Sequence, residues 1–535
     1  FDPKKLIMSS SSREVREVKA LSELRIEIKF ESYVIIKLIR GECEINGVEL
    51  APKREYIFSG CKFSVLSWRG CSIEIDSGDS AIIYVAEKNS ACVALNIHAY
   101  CEWRREEAAI AQSLAAVGNL YPGNDDSLTQ EIGIVGDSPP PLLPGAPTLQ
   151  SPSIARFAPQ DDGIIRGPRI LVCGGEDSGK STLCRTLAVY AARAGREPMY
   201  IDLDPNLNDS GVPTGVLTAL AVTKSALSVE QGFAGLSNAP VCFWYGNASP
   251  ESNPELYKHV VRRLALCVSD RLDLHPVANT AGFIINTCGW VDGIGVDILK
   301  YIASIFAVDI ILVLSHDRLY NELSDAFKPN PKVTVVNLQR SGGAESRSLQ
   351  YRRRLRHKYI HEYFYGPLSH FRSLLVNKNS SDKSSLLEKL PAQLAPAGLE
   401  LRFRDIKLYR VITSSAHLDD SMLPVGQGTL LDPLQVVVHN ITPDLVNTVL
   451  AVYHPRESTE PAPNGFQLSS SVTERHDSEN NPYHFLLDCC AAGFVVVTSV
   501  NFDKGTITLL TPCSGDLPSP HLLLGGIEWV EGLLA

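Results

Sequence analysis

Ile170-Leu171-Val172-Cys173-Gly174-Gly175-Glu176-Asp177-Ser178-Gly179-Lys180-Ser181-Thr182 is the stretch that decides the fold. Gly174 to Ser181 fit G-x-x-x-x-G-K-S. The four residues before them read as an apolar strand, and Thr182 to Ala194 continue with helical spacing until Gly195. In that setting glycines let successive backbone N–H groups converge on phosphate oxygens, and the following helix adds its positive end. Lys180 is expected to reach the β- and γ-phosphates and the Ser181 hydroxyl to ligate magnesium. Gly174, Gly175, Glu176, Asp177, Ser178, Gly179, Lys180, Ser181 and Thr182 are therefore the expected triphosphate-binding residues.

Outward from this loop, residues 164–376 alternate strand and helix. Strands are predicted at 169–173, 199–203, 241–244, 282–286, 309–315 and 332–338, and helices at 180–194, 254–269, 296–306 and 349–362. Repeated β-α units imply a mainly parallel sheet with ligands at the carboxyl ends of its strands. Tyr200-Ile-Asp-Leu-Asp204 ends the second strand, and its period puts Asp202 and Asp204 on one side. A carboxylate there can organise magnesium or take a proton from an attacking hydroxyl; it can also simply cap the Asp204-Pro205 turn. Trp290, just after Cys288-Gly289, is either core or a stacking platform for a base. Between Arg340 and Arg372 lie eight Arg/Lys and two Glu, in a chain of net charge −10. That cluster reads as an arginine lid over phosphate, as a nucleic-acid contact or as a plain basic surface. His357 and His361, one turn apart within it, read as surface histidines.

The flanks are of a different class. Residues 1–100 alternate apolar and polar side chains in short strands, with Asn46-Gly47 as a hairpin turn, and predict a β-sandwich. Residues 101–163 read as a linking helix followed by a polar, proline-rich insertion without a core. A second polar insertion spans 377–398, and 399–535 return to β, interrupted by a polar loop at 456–481. The overall expectation is an α/β P-loop NTPase core between an N-terminal β-sandwich and a C-terminal β-rich domain. A length of 535 residues is too long for one core. The acidic balance argues against a uniformly basic nucleic-acid binder. The 13 cysteines contain no C-x-x-C pair, so neither a disulfide framework nor a structural zinc site is expected. No apolar run approaches the ~18 residues of a membrane span.

The loop Gly174–Thr182, with Leu203-Asp204, Asn286-Thr-Cys-Gly-Trp290, Arg318-Leu-Tyr-Asn-Glu-Leu323, Ser341-Gly-Gly343 and Glu362-Tyr-Phe-Tyr-Gly366, resembles the Clp family. These are polynucleotide 5′-hydroxyl kinases that double as a subunit of pre-mRNA cleavage factor II. The likeness extends to Glu23-Leu-Arg-Ile-Glu27 and Gly70-Cys-Ser-Ile73 in front and to 492–500 behind. It implies ATP and magnesium as cofactors, with Lys180 and Ser181 on the triphosphate and metal. Asp204 would be general base and metal neighbour, Arg347 and Arg352 the lid arginines, and Trp290 the ring that stacks on RNA. Glu23 and Lys62 would contact the adenine, making the sandwich an ATP clamp. The implied partners are RNA with a 5′-hydroxyl end, other cleavage-factor subunits and the tRNA splicing endonuclease; the implied location is the nucleus.

One departure keeps two functions open. Active members read Asp-x-Gly-Gln where this chain has Asp204-Pro205-Asn206-Leu207, as in fungal members that keep ATP without kinase activity. Trp290, the segment Gly246 to Pro250 and both lid arginines match the active relatives. The chain is thus an RNA 5′-hydroxyl kinase or an ATP-holding scaffold of the 3′-end processing machinery. A switch GTPase is a third option, without the N-K-x-D that would read guanine.

Overall fold

The computed structural model describes residues 12–77, 81–86, 91–120, 166–208, 210–224, 227–235, 239–377, 383–412, 432–453 and 481–531. The sequence that decides the fold forms the strand Arg169–Gly174, which lies inside a seven-stranded sheet. Its order is Val241–Trp244, Val216–Ala221, Met199–Asp202, Phe283–Asn286, Arg169–Gly174, Ile310–Leu314 and Thr334–Leu338. All pairings are parallel except the two made by Val216–Ala221, so only that strand runs against the rest. Successive side chains of a strand face opposite ways. Accordingly Leu171, Ile201, Ile285 and Ile311 feed one core, while Ile170, Val172, Tyr200, Ile284 and Ile310 feed another. Helix Lys180–Arg193 covers the second face through Cys184, Leu187, Ala188 and Ala192.

Sequence alone predicts no strand at Val216–Ala221. Its Thr-Ala-Leu-Ala centre has weak strand preference, and it is extended because it sits fully buried between two strands. The predicted strands and helices of this region are all present, with ends shifted by a few residues. Helix Pro254–Leu274 runs five residues further than predicted, and helix Asp317–Phe327 has no counterpart in the sequence reading. The latter starts where the His316 ring accepts from the Leu319 N–H at 3.1 Å.

The N-terminal part is a sandwich of a four-stranded and a five-stranded sheet around Leu24, Ile26, Val34, Ile36, Val65, Ile73 and Ile75. Asn46 and Gly47 take φ of 48° and 86°, the left-handed pair that a tight hairpin needs. Strands Ser12–Val18 and Glu55–Phe58 join those read from the sequence. The linking helix, predicted to end near Val117, runs from Ala91 to Leu120. It is held by the fully buried Arg105, whose Nε donates to the Ala281 carbonyl at 2.8 Å. The insertion read beyond it lies outside the described residues from 121 onward.

The segment read as a second polar insertion contains helix Lys383–Lys389. Leu386 and Leu390 there pack with Ile35, Ile57, Phe371 and Leu375, so part of this insertion is core. Polar neighbours in sequence hid two buried leucines. The C-terminal part is one seven-stranded sheet in which Thr448–Tyr453, unpredicted, is central. One of its faces, with Val449, Ala451, Tyr453, Phe494 and Leu523, merges into the core of the P-loop sheet. The polar loop read at 456–481 falls almost wholly outside the described residues.

Candidate functional site

The phosphate loop closes between strand Arg169–Gly174 and helix Lys180–Arg193. Gly174 has φ 147°, and a Cβ there would stand 2.8 Å from the Leu314 carbonyl oxygen, so packing forbids a side chain. Gly179, the helix N-cap, has φ 96°. Gly175 is different, because a Cβ there meets nothing within 4 Å. Its bareness answers to no protein neighbour and leaves the backbone open to a ligand. Asp177 adopts φ 53° without being glycine, a backbone state that costs energy and marks a constrained turn. The Ser178 hydroxyl is buried with no hydrogen-bond partner among the described residues. Lys180 is almost fully buried and donates to the carbonyls of Gly174 and Gly175 at 3.0 and 2.7 Å. A buried ammonium and an unpaired hydroxyl inside a ring of backbone amides are the chemistry of an anion cradle.

The two acidic residues of the second strand part company. Asp202, expected beside Asp204, is fully buried and accepts from Asn286 Nδ2 at 2.9 Å and from Tyr200 at 3.3 Å. Only Asp204, past the strand end, lines the cavity. The strand ends at Asp202, so the period-two argument does not extend to Asp204. Ser181 Oγ reaches Asn286 Oδ1 at 3.4 Å, and the Asp204 amide donates to Asp202 Oδ1 at 3.1 Å. A polar chain therefore runs from Ser181 through Asn286 and Asp202 to Asp204. Cys288 lies beside it, and its thiol is pushed up to about 12 by burial and then by the Asp204 charge.

Helix Leu349–Tyr365 carries the arginine cluster across the loop. Ser348 caps it, accepting from the Tyr351 N–H at 3.1 Å. Asp177 Oδ2 receives the Arg347 N–H at 2.7 Å and Arg352 Nη2 at 2.6 Å, while the other arm of Arg352 pairs with Glu176. Burial opposes the Arg352 charge, and these two carboxylates outweigh it and hold its pKa above the ordinary value. Arg356, not singled out from the sequence, donates to Asn206 Oδ1 at 2.8 Å and so ties the helix to the loop after Asp204. Its place inside the cluster was the only available signal. His361, read as a surface residue, instead stacks on Tyr365 and bonds Ser369 at 2.8 Å.

The sandwich forms the opposite wall. Glu23 is buried and accepts from Arg25 at 3.3 Å. Lys62 pairs with Glu27 at 2.7 Å and with Glu345 of the central domain at 2.8 Å. Burial works against the Lys62 charge, but the two carboxylates prevail and raise its pKa. Glu27 and Glu345 lie 318 positions apart and gave no sequence signal that they would meet. The result is one cavity of about 640 Å³, lined by Glu23, Lys62 and Phe63 on the sandwich side. The loop residues Glu176 to Thr182, then Asp204, Trp290, Arg347 and Arg352, line the rest. Trp290 is half-buried, packing on the core while also lining the cavity. Gly174 and Gly175 stand just behind, as acceptors for Lys180.

Fold and cavity together define a P-loop nucleotide-binding protein of kinase-like architecture, whose pocket is completed by a β-sandwich. Residues 174–366 match the family described as mRNA cleavage and polyadenylation factor CLP1 P-loop. Residues 17–108 match the N-terminal beta-sandwich domain of polyadenylation factor, and 394–531 match Pre-mRNA cleavage complex II protein Clp1. The chain belongs to the Clp1 family. It is 30% identical to a Homo sapiens protein named polyribonucleotide 5′-hydroxyl-kinase Clp1, across 96% of both chains. With the Danio rerio protein of that name it shares 32%, over 95% of this chain and 92% of the other. The Dictyostelium discoideum Protein CLP1 homolog is 28% identical over 97% and 90%. Among solved structures, a Clp1p chain from a wild-type Clp1p–Pcf11p complex superposes with a TM-score of 0.68 at 20% identity. That alignment covers 98% of this chain and all of the other, and establishes a common fold. Membership of this P-loop family implies that the chain binds ATP.

Proposed function

We propose that this chain is an ATP-dependent polynucleotide 5′-hydroxyl kinase acting on RNA and a subunit of the pre-mRNA 3′-end cleavage and polyadenylation machinery. One observation carries the reading: the phosphate loop, Asp204, the Trp290 ring and the lid arginines share a single cavity. A phosphate donor, a proton acceptor and a stacking surface then meet in one cavity. Backbone amides of Ser178 to Ser181 and the Lys180 ammonium hold the polyphosphate. Trp290 orients the terminal nucleotide, Asp204 takes the hydroxyl proton, and Arg347 and Arg352 stabilise the spreading phosphoryl charge. Glu23 and Lys62 grip the adenine from the sandwich.

The residues present suit magnesium. Ser181 offers a hydroxyl and Asp204 a carboxylate beside the phosphates, with Asp202 and Asn286 orienting them from behind. Magnesium favours few protein ligands and completes its shell with phosphate and water. This agrees with the lack of any cluster of three His/Cys/Asp/Glu ligands among the described residues. When bound it neutralises the β- and γ-oxygens.

A second reading, an ATP-holding scaffold without transfer, is favoured by one contact. The Asn206 amide donates to Asp204 Oδ1 at 2.9 Å, so one oxygen of the carboxylate that would accept the hydroxyl proton is already engaged by the turn. The family descriptions and the solved complex with Pcf11p support cleavage-factor subunits as partners; a nuclear location and the tRNA splicing endonuclease as a further partner are part of the same proposal.

Purified protein, labelled ATP and a short RNA with a free 5′-hydroxyl separate the two readings. Label is expected on the RNA and lost by at least about 100-fold with Lys180→Ala, the scale of removing one positioned charge from a transition state. No label on RNA, with ATP retained by the wild type, supports the scaffold. A DNA oligonucleotide in parallel tests whether the 2′-hydroxyl is read.

A further inference from the structure

Two of the cations aimed at the polyphosphate are satisfied by the loop itself. Lys180 rests on the carbonyls of Gly174 and Gly175, and Arg352 on the carboxylates of Glu176 and Asp177. The two carboxylates are not equivalent. Asp177 is 11% exposed, sits on a left-handed backbone and also holds the Arg347 N–H. It is the fixed anchor of the lid. Glu176 is 62% exposed, and its side chain runs along Gly289, where a Cβ would come within 2.5 Å of its Cγ. It is the arm that can swing away without unfolding the turn.

We propose that Glu176 is a displaceable counter-anion for Arg352, held in the place that a terminal phosphate oxygen takes when a nucleoside triphosphate binds. Glu176 is thereby a positioning and selectivity residue, acting through Arg352. The inference rests on the reading of the cavity as an ATP site. Asp177 holds only one arm of the largely buried Arg352 guanidinium, and leaving the other arm without an acceptor is costly, so an empty pocket needs a substitute there. A carboxylate and a phosphate oxygen both accept the same fork of N–H donors. Only a triphosphate extends far enough past Lys180 to compete for Arg352, whereas a diphosphate leaves Glu176 where it is. The pair therefore lowers ATP affinity in return for a lid already in position, and it penalises ATP more than ADP.

The test is calorimetric binding of Mg-ATP and Mg-ADP to the full chain, in the wild type, Glu176→Gln, Arg352→Ala and the double variant. Glu176→Gln is expected to tighten ATP about tenfold and ADP by less than about twofold, the scale of one charge-assisted bond. The ATP gain is expected to vanish in the Arg352→Ala background, and Glu176→Asp to stay close to wild type. Thermal melts confirm that each variant is folded. If Glu176→Gln shifts ATP and ADP alike, or its gain survives Arg352→Ala, the counter-anion is refuted while the ATP site stands. If the wild type binds neither nucleotide, the ATP reading falls and this inference with it.

Discussion

His361 shows how far a residue's surroundings outrun its sequence context. It lies among arginines, yet its ring stacks on Tyr365 at 4.7 Å and faces Trp529 of the C-terminal part. Burial, aided by His370, pushes its pKa down to about 4, and burial does the same to His98. The folded chain therefore holds both rings neutral, while the unfolded chain takes up protons from about pH 6.5 downward. Their contribution to stability is complete above pH 6.5 and is lost as pH falls toward 4. The melting temperature is expected to drop across that window, and His361→Gln to shallow the drop; an unchanged slope would contradict the burial argument. The loop residues from Gly174 to Thr182 were legible because their chemistry is local. Glu345 was not, because its meaning lies in reaching Lys62 from another domain.

At the scale of elements, the site depends on how closely two loops approach. Gly289 follows strand Phe283–Asn286, and a Cβ on it would stand 2.8 Å from the Glu176 backbone nitrogen and Cα. Backbone cannot yield as a side-chain tip can, so Gly289→Ala must displace the phosphate loop, at about 1–3 kcal/mol. Mg-ATP affinity is expected to fall by about tenfold or more, with the melting temperature of the central domain lower by about 2–12 °C, at roughly 2–4 °C per kcal/mol for a domain of its size. The lid helix has the same dependence at its start and at its middle. Arg352 fixes its start to the loop, and Lys358 donates to the Ser59 carbonyl of the sandwich at 3.0 Å. Most strands and helices were legible from period and punctuation, helix Asp317–Phe327 and strands Ser12–Val18 and Glu55–Phe58 being among the exceptions. Val216–Ala221 and Thr448–Tyr453 were not, because each is extended by its neighbours on both sides and fully buried.

For the whole molecule, the sandwich is joined to the P-loop sheet through a buried acid. Glu44 is 3% exposed; its Oε2 accepts from Arg193 at 2.7 Å, and its Oε1 accepts from Trp68 at 3.2 Å and from the Tyr190 hydroxyl. Tyr190 and Arg193 belong to the helix that starts at Lys180, so Glu44 couples the sandwich wall of the cavity to the phosphate loop. Glu44→Ala leaves the buried Tyr190 hydroxyl without its acceptor and takes one carboxylate from Arg193, which keeps Glu49 and the Gly47 carbonyl, and is expected to cost about 1–3 kcal/mol in urea unfolding. It is also expected to weaken Mg-ATP more than a Glu49→Ala change at the exposed side of the same contact. Equal effects would show that the interface does not transmit to the site.

By itself the chain's order of residues determined the phosphate loop, the alternation that makes a parallel sheet, and the β character of both flanks. Each of these follows from contacts between near neighbours, which spacing records. The cavity was decided only by tertiary structure. Its walls come from segments hundreds of residues apart, and no local pattern encodes which carboxylate a distant lysine or arginine will find. The division of labour between Asp202 and Asp204, the partner of Arg356 and the two anions of Arg352 exist only once the sheet, the sandwich and the lid are packed together.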